Sequence, residues 1–191
     1  MIFFTRVLYD AHRLLPNGLN MKRFLLAVTS FVVLAFPASA QTSLKVGAAA
    51  PDFSTVSLDG DQFELSRLRG SIVLLSFWST KCEICRVELP RLNKLADRFK
   101  GGDKVVLLAP TMENDNIVTA FVGRNPFRFE VLPNSFGLLL QYADRTKSGD
   151  LDMGFPSFFL IDQNGVVQYR GSGYGRIEPL IAAIDRLVAK N

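Results

Sequence analysis

The run Ser71-Ile72-Val73-Leu74-Leu75-Ser76-Phe77-Trp78-Ser79-Thr80-Lys81-Cys82-Glu83-Ile84-Cys85-Arg86-Val87-Glu88-Leu89-Pro90, "SIVLLSFWSTKCEICRVELP", carries the only two cysteines of a 191-residue chain. Its first half is nearly all apolar and rich in strand formers, as a central strand buried on both faces requires. Beyond the cysteines, Val87, Leu89, Leu92, Leu95, Ala96 and Phe99 recur at helical spacing until Gly101-Gly102. Pro90 should kink this helix without ending it, because the periodicity continues past it. Cys82 therefore follows a strand and opens a helix, with Cys85 one turn further in.

Such a pair has three conceivable uses. As a staple it would contribute little, since closing a three-residue loop removes almost no entropy from the unfolded chain. As a metal site it lacks ligands: zinc takes about four N or S donors, and the chain's single histidine, His12, lies in the leader. Redox exchange fits better. Positions i and i+3 are neighbours on a helix, within the Cα spacing that a disulfide accepts. The unpaired N–H groups and partial positive charge of the helix start favour a thiolate at Cys82. Cys82 is thus expected to attack and Cys85 to resolve the mixed disulfide. Lys81 would add to the thiolate's stability if its side chain turned inward. Glu83 opposes ionisation of Cys82; partly buried, it could instead pass a proton to or from a leaving thiolate. The plainer reading of Glu83 is an acid suited to the first turn of a helix.

The remaining chain is organised around this strand and helix. Phe53 to Leu58 and Gln62 to Leu65 alternate about Asp59-Gly60, a hairpin signal. Lys104 to Ala109 reads as a second buried strand, Asn114 to Val122 as a helix, Arg128 to Leu132 as a strand and Ser135 to Ala143 as a short helix. Polar Asp144 to Asp152 is expected to be a loop. Ser157 to Ile161 and Val166 to Tyr169 flank Asp162-Gln163-Asn164-Gly165 as a second hairpin. Gly171 to Gly175 reads as a turn, since it lacks the Lys-Ser/Thr of a phosphate loop, and Ile177 to Val188 as an amphipathic closing helix. This order implies an α/β fold, a mixed central sheet flanked by helices.

The first forty residues read differently. Met21-Lys22-Arg23, the apolar Phe24 to Phe36 and Pro37-Ala38-Ser39-Ala40 form a secretory signal peptide with cleavage after Ala40. The apolar run is shorter than the roughly 20 residues that span a bilayer. Residues 1–20 precede a second plausible start at Met21 and carry no expected function. The expectation is a leader over 1–40 and one domain over 41–191. Taking Arg6, Arg13, Lys22 and Arg23 from 22 basic residues and Asp10 from 18 acidic ones leaves 18 and 17, so the formal +4 falls to about +1. No basic stripe remains to suggest nucleic acid.

"GAAAPDF", "FWSTKCEICRVELP" and "GFPSFFLIDQNGVVQYRGSG" together resemble the TlpA/ResA-like thiol-disulfide oxidoreductases of the thioredoxin superfamily, over nearly all of residues 41–191. The resemblance implies a thioredoxin-like fold with an N-terminal β-hairpin extension. It implies that Pro156 is a cis-proline facing the cysteines and that the backbone of Phe155 pairs with an extended substrate segment. Trp78 and Lys81 are grouped with these as substrate-side residues. It further implies a monomeric, periplasmic or otherwise exported enzyme, membrane-anchored if the leader stays uncleaved. Such an enzyme needs no cofactor beyond the Cys82–Cys85 disulfide, acts on disulfide-containing proteins as in cytochrome c maturation, and is recharged by a membrane thiol-disulfide electron donor. Many relatives have Trp before the first cysteine and Pro before the second, where this chain has Lys81 and Ile84. Their redox potential therefore does not transfer. Ser76 stands where cytosolic thioredoxins carry a buried Asp. Two other functions are weighed: a peroxiredoxin-type peroxidase, against which the position of Thr80 and the lack of a nearby Pro count, and a binding module whose disulfide stays closed.

Overall fold

The computed structural model describes residues 43–99 and 105–190; the expected leader lies outside the described residues. Strand β1 (Ser54–Val56) pairs antiparallel with β2 (Gln62–Glu64), with Gly60 at φ +93° in the intervening turn. A 3-10 turn (Leu65–Leu68) leads to β3 (Ile72–Phe77), all six of whose residues are buried. Helix α1 spans Glu83–Arg98 and keeps Pro90 inside it. Then come β4 (Val105–Pro110), α2 (Asp115–Val122), β5 (Glu130–Leu132) and α3 (Phe136–Tyr142). Asn114 caps α2, its side chain accepting from the Ile117 amide.

Residues 144–152 depart from the expected loop. They form a small antiparallel hairpin, β6 (Asp144–Arg145) with β7 (Leu151–Asp152). Polar side chains obscured it: Thr146 and Ser148 bond each other, Ser148 bonds Asp150, and Gly149 turns at φ +90°. Strand β8 (Ser157–Ile161) follows, then β9 (Val167–Ser172) and α4 (Ile177–Val188). The glycine-rich segment begins later than expected, because Gly171 and Ser172 still pair with Phe158 and Ser157.

The main sheet has the order β5-β4-β3-β8-β9. β3 runs parallel to β4 and antiparallel to β8, so the sheet is mixed. The two-residue period of the strands sorts their side chains onto its faces. Ile72 and Leu74, with Phe158 and Leu160, pack against Leu92, Leu95 and Ala96 of α1 and Leu180 and Ile184 of α4. Val73, Leu75 and Phe77, with Phe159 and Ile161, meet Leu138, Leu139 and Tyr142 of α3. Tyr142 donates its hydroxyl to the Pro51 carbonyl and so fastens the N-terminal segment over this second face. The parallel strands β3 and β4 end side by side, and the cysteine turn leaves from that end, where open α/β sheets place their sites.

Candidate functional site: a disulfide at the start of helix α1

After Phe77 the chain turns through Ser79 to Cys82, whose amide donates to the Ser79 carbonyl. Cys82 is the N-cap of α1, in extended geometry, and its Sγ accepts from the Cys85 amide at 3.0 Å. A disulfide joins Cys82 to Cys85, with Cα atoms 5.2 Å apart. The two sulfurs differ in access: Cys82 is half-buried, whereas Cys85 is 6% exposed and packs into the core. Cys82 is therefore the sulfur that solvent or a partner reaches, at the helix end where backbone N–H groups favour negative charge.

Pro156 follows a cis bond from Phe155 and is buried. The ladder pairs Phe77 with Ser157, so Pro156 lies at the sheet end from which the cysteine turn departs. Phe155 is half-buried against both core clusters. Neither backbone group of Phe155 has a partner among the described residues, which leaves both free to bond an extended segment.

Three expected site residues are placed differently from their readings. Trp78 is 2% exposed, stacked on Phe127 and Phe121, with its indole N–H on the Ala109 carbonyl, so it braces the core and cannot touch a substrate. Lys81 is exposed to solvent. Glu83 has a side chain 73% exposed and paired with Arg86. The burial on which its proton-passing role depended is absent.

Two carboxylates were not singled out from the sequence. Glu88, 1% exposed, lies on the inward stripe of α1 with Cys85 and Leu92. Its Oε1 accepts from the Gly175 amide at 3.0 Å, and its Oε2 is buried without a partner among the described residues. An acid three residues beyond a cysteine, inside an apolar stripe, was the available signal. Glu113, beyond the end of β4, accepts from Ser79, Thr80 and Thr111. Burial pushes its carboxyl up, but the hydrogen bonds from the Thr80 amide and hydroxyl, Ser79 and Thr111 outweigh this and hold it below the ordinary value.

Between the first turn of α1 and α2 a groove of about 590 Å³ opens, lined by Thr80, Arg86, Ile117 and Phe121 among others. Ile84, Val87, Met112 and Ile117 are exposed apolar side chains on the elements that surround the cysteine turn.

Residues 45–184 match the Redoxin family model. The thioredoxin-like protein YneN of Bacillus subtilis is 30% identical over 132 residues, 67% of this chain and 72% of that protein. The thiol-disulfide oxidoreductase ResA of Bacillus cereus is 30% identical over 129 residues, covering 68% of this chain and 70% of its own length. Among solved structures, a Chlorobium tepidum protein described as the thiol:disulfide interchange protein DsbE superposes with a TM-score of 0.64 at 27% identity, over 76% of this chain and 99% of that one. The mixed sheet with its helices is accordingly a thioredoxin-like fold. With its cysteine pair at the start of α1, the chain belongs to the Redoxin family, alongside the ResA-type thiol-disulfide oxidoreductases.

Proposed function

We propose that this chain is an exported thiol-disulfide oxidoreductase that reduces disulfides of selected proteins, with Cys82 attacking and Cys85 resolving. The observation that carries the reading is the asymmetry of the pair: a reachable Cys82 at a helix N-terminus, bonded to a core-packed Cys85. In the reduced form the Cys82 thiolate attacks one sulfur of the substrate disulfide. That bond breaks, a mixed disulfide forms, and the departing substrate thiolate takes up a proton. The Cys85 sulfur, deprotonated, then attacks Cys82 Sγ and releases the second substrate thiol. Two electrons and two protons have passed to the substrate, and the Cys82–Cys85 disulfide is restored. A membrane dithiol donor would reverse this last change, as an oxidising compartment requires.

The unpartnered backbone of Phe155 beside buried Pro156 supports a polypeptide substrate, and so do the exposed apolar side chains around the turn. Export rests on the signal-peptide pattern of residues 21–40, and a substrate in cytochrome c maturation on the likeness to ResA. The test is a pair of variants. Cys85→Ser, in its reduced form, should accumulate a mixed disulfide with a disulfide-containing protein substrate, and Cys82→Ser should abolish exchange. Persistence of exchange in Cys82→Ser removes the reading, and rapid peroxide turnover with a sulfenic acid at Cys82 would replace it with peroxidase chemistry.

A further inference from the structure

The turn before Cys82 is held by one carboxylate from the loop beyond β4. The Thr80 amide donates to Glu113 Oε2 at 2.9 Å, and the Thr80 hydroxyl to Oε1 at 2.8 Å. The Ser79 hydroxyl donates to Oε1 at 2.9 Å while its oxygen accepts from the Lys81 amide. Thr111, at the end of β4, completes the set at 2.9 Å. The backbone of Glu113 is fixed in turn, since its carbonyl accepts from Asn134 beyond β5. The Ser79 hydroxyl and both the amide and the hydroxyl of Thr80 thus converge on Glu113. Bonds from neutral donors to an ionised acceptor are about twice as strong as neutral ones, and the depressed titration of Glu113 keeps it ionised.

We infer that Glu113 is a positioning residue for Cys82 and that it sets the balance between the dithiol and disulfide forms. This rests on the reading of Cys82 as the attacking sulfur. The oxidised turn is already constrained by the Cys82–Cys85 bond, so holding the clamp costs less conformational entropy there than after that bond opens. Two effects then act with one sign. Losing the clamp lets the reduced turn gain conformational freedom that the oxidised turn cannot, and losing a fixed negative charge bonded to Thr80, two residues before Cys82, favours its thiolate. Both stabilise the dithiol.

Glu113→Gln, which keeps the size but removes the charge and turns an amide toward donors, should therefore make the pair a stronger oxidant. The expected change is about tenfold in the equilibrium constant against glutathione, ~30 mV for this two-electron couple. The ultraviolet titration of the Cys82 thiolate should move to lower pH. A residue that only braces the fold would support both redox forms equally: their melting temperatures would fall together and the equilibrium would not move. That result overturns the inference. Should Glu113→Gln fail to fold, Thr80→Val removes one donor and leaves the carboxylate; a shift in the same direction, about threefold, is expected, and no shift overturns the inference. Mass mapping of the singly alkylated dithiol separates the two failures. Alkylation at Cys85 removes the assignment of the attacking sulfur, whereas alkylation at Cys82 with an unmoved equilibrium removes only the role of Glu113.

Discussion

The Gly175 amide donates to one oxygen of Glu88, while the other oxygen is buried with no partner among the described residues. The bond ties the loop before α4 to the stripe of α1 that carries Cys85. An acid one turn from Cys85 can hold the proton that the resolving sulfur gives up. Glu88→Gln keeps the acceptor for Gly175 but cannot take up that proton. The resolving step should slow about a hundredfold with little change in melting, followed as decay of the mixed disulfide in stopped flow. Unchanged decay would reduce Glu88 to a loop anchor.

Glu83 should matter far less. Its side chain is exposed and paired with Arg86, and surface pairs of this kind contribute about 0–1 kcal/mol. Glu83→Gln is expected to leave the reduction potential within about 10 mV of the parent at every pH, a fraction of the tenfold step. A pH-dependent potential that this substitution flattens would restore the proton-passing role.

Trp78, the chain's only tryptophan, packs in the cluster that holds Cys85 and touches Cys82. Opening the disulfide should change its emission, which gives a direct readout of redox titrations. Trp78→Ala should cost about 3–5 kcal/mol, because it empties a core site and removes the bond to Ala109. Urea midpoints on the oxidised form measure this.

Glu130 of β5 couples the fold to pH. Burial raises its carboxyl above the ordinary value, and Asp59 and Asp61 of the β1–β2 turn add to the rise. A raised folded value means that the native state binds the proton more tightly. Ionising Glu130 therefore costs stability as pH climbs from about 4.5 through the folded value. Glu130→Gln should be more stable than the parent at pH 7, by less than about 1 kcal/mol, and equal to it below about pH 4. Urea midpoints across pH check the crossover; a destabilised variant at pH 7 would contradict it.

Strands and helices with strong periodicity were legible in the chain itself. Ile72 to Phe77 announced a doubly buried strand, and Ile177 to Val188 an amphipathic helix, because each pattern repeats with the period of the backbone that carries it. Residues 144–152 were not legible, because a two-residue pairing leaves no periodicity and its polar turn looks like any solvated connection.

The site divides in the same way. Spacing alone put Cys82 at a helix start with Cys85 a turn deeper, since three residues and a strand-to-helix junction leave little choice. Which charged groups serve that pair was a matter of tertiary structure. Sequence proximity pointed to Lys81 and Glu83, yet both side chains face solvent. Glu88 sits within the apolar stripe of the same helix, and Glu113 arrives from the loop beyond a parallel neighbouring strand, far away along the chain. Burial and hydrogen bonding, which give a carboxylate its influence on a sulfur, are set by the packing of strands and helices around the turn. Adjacency along the chain does not determine them.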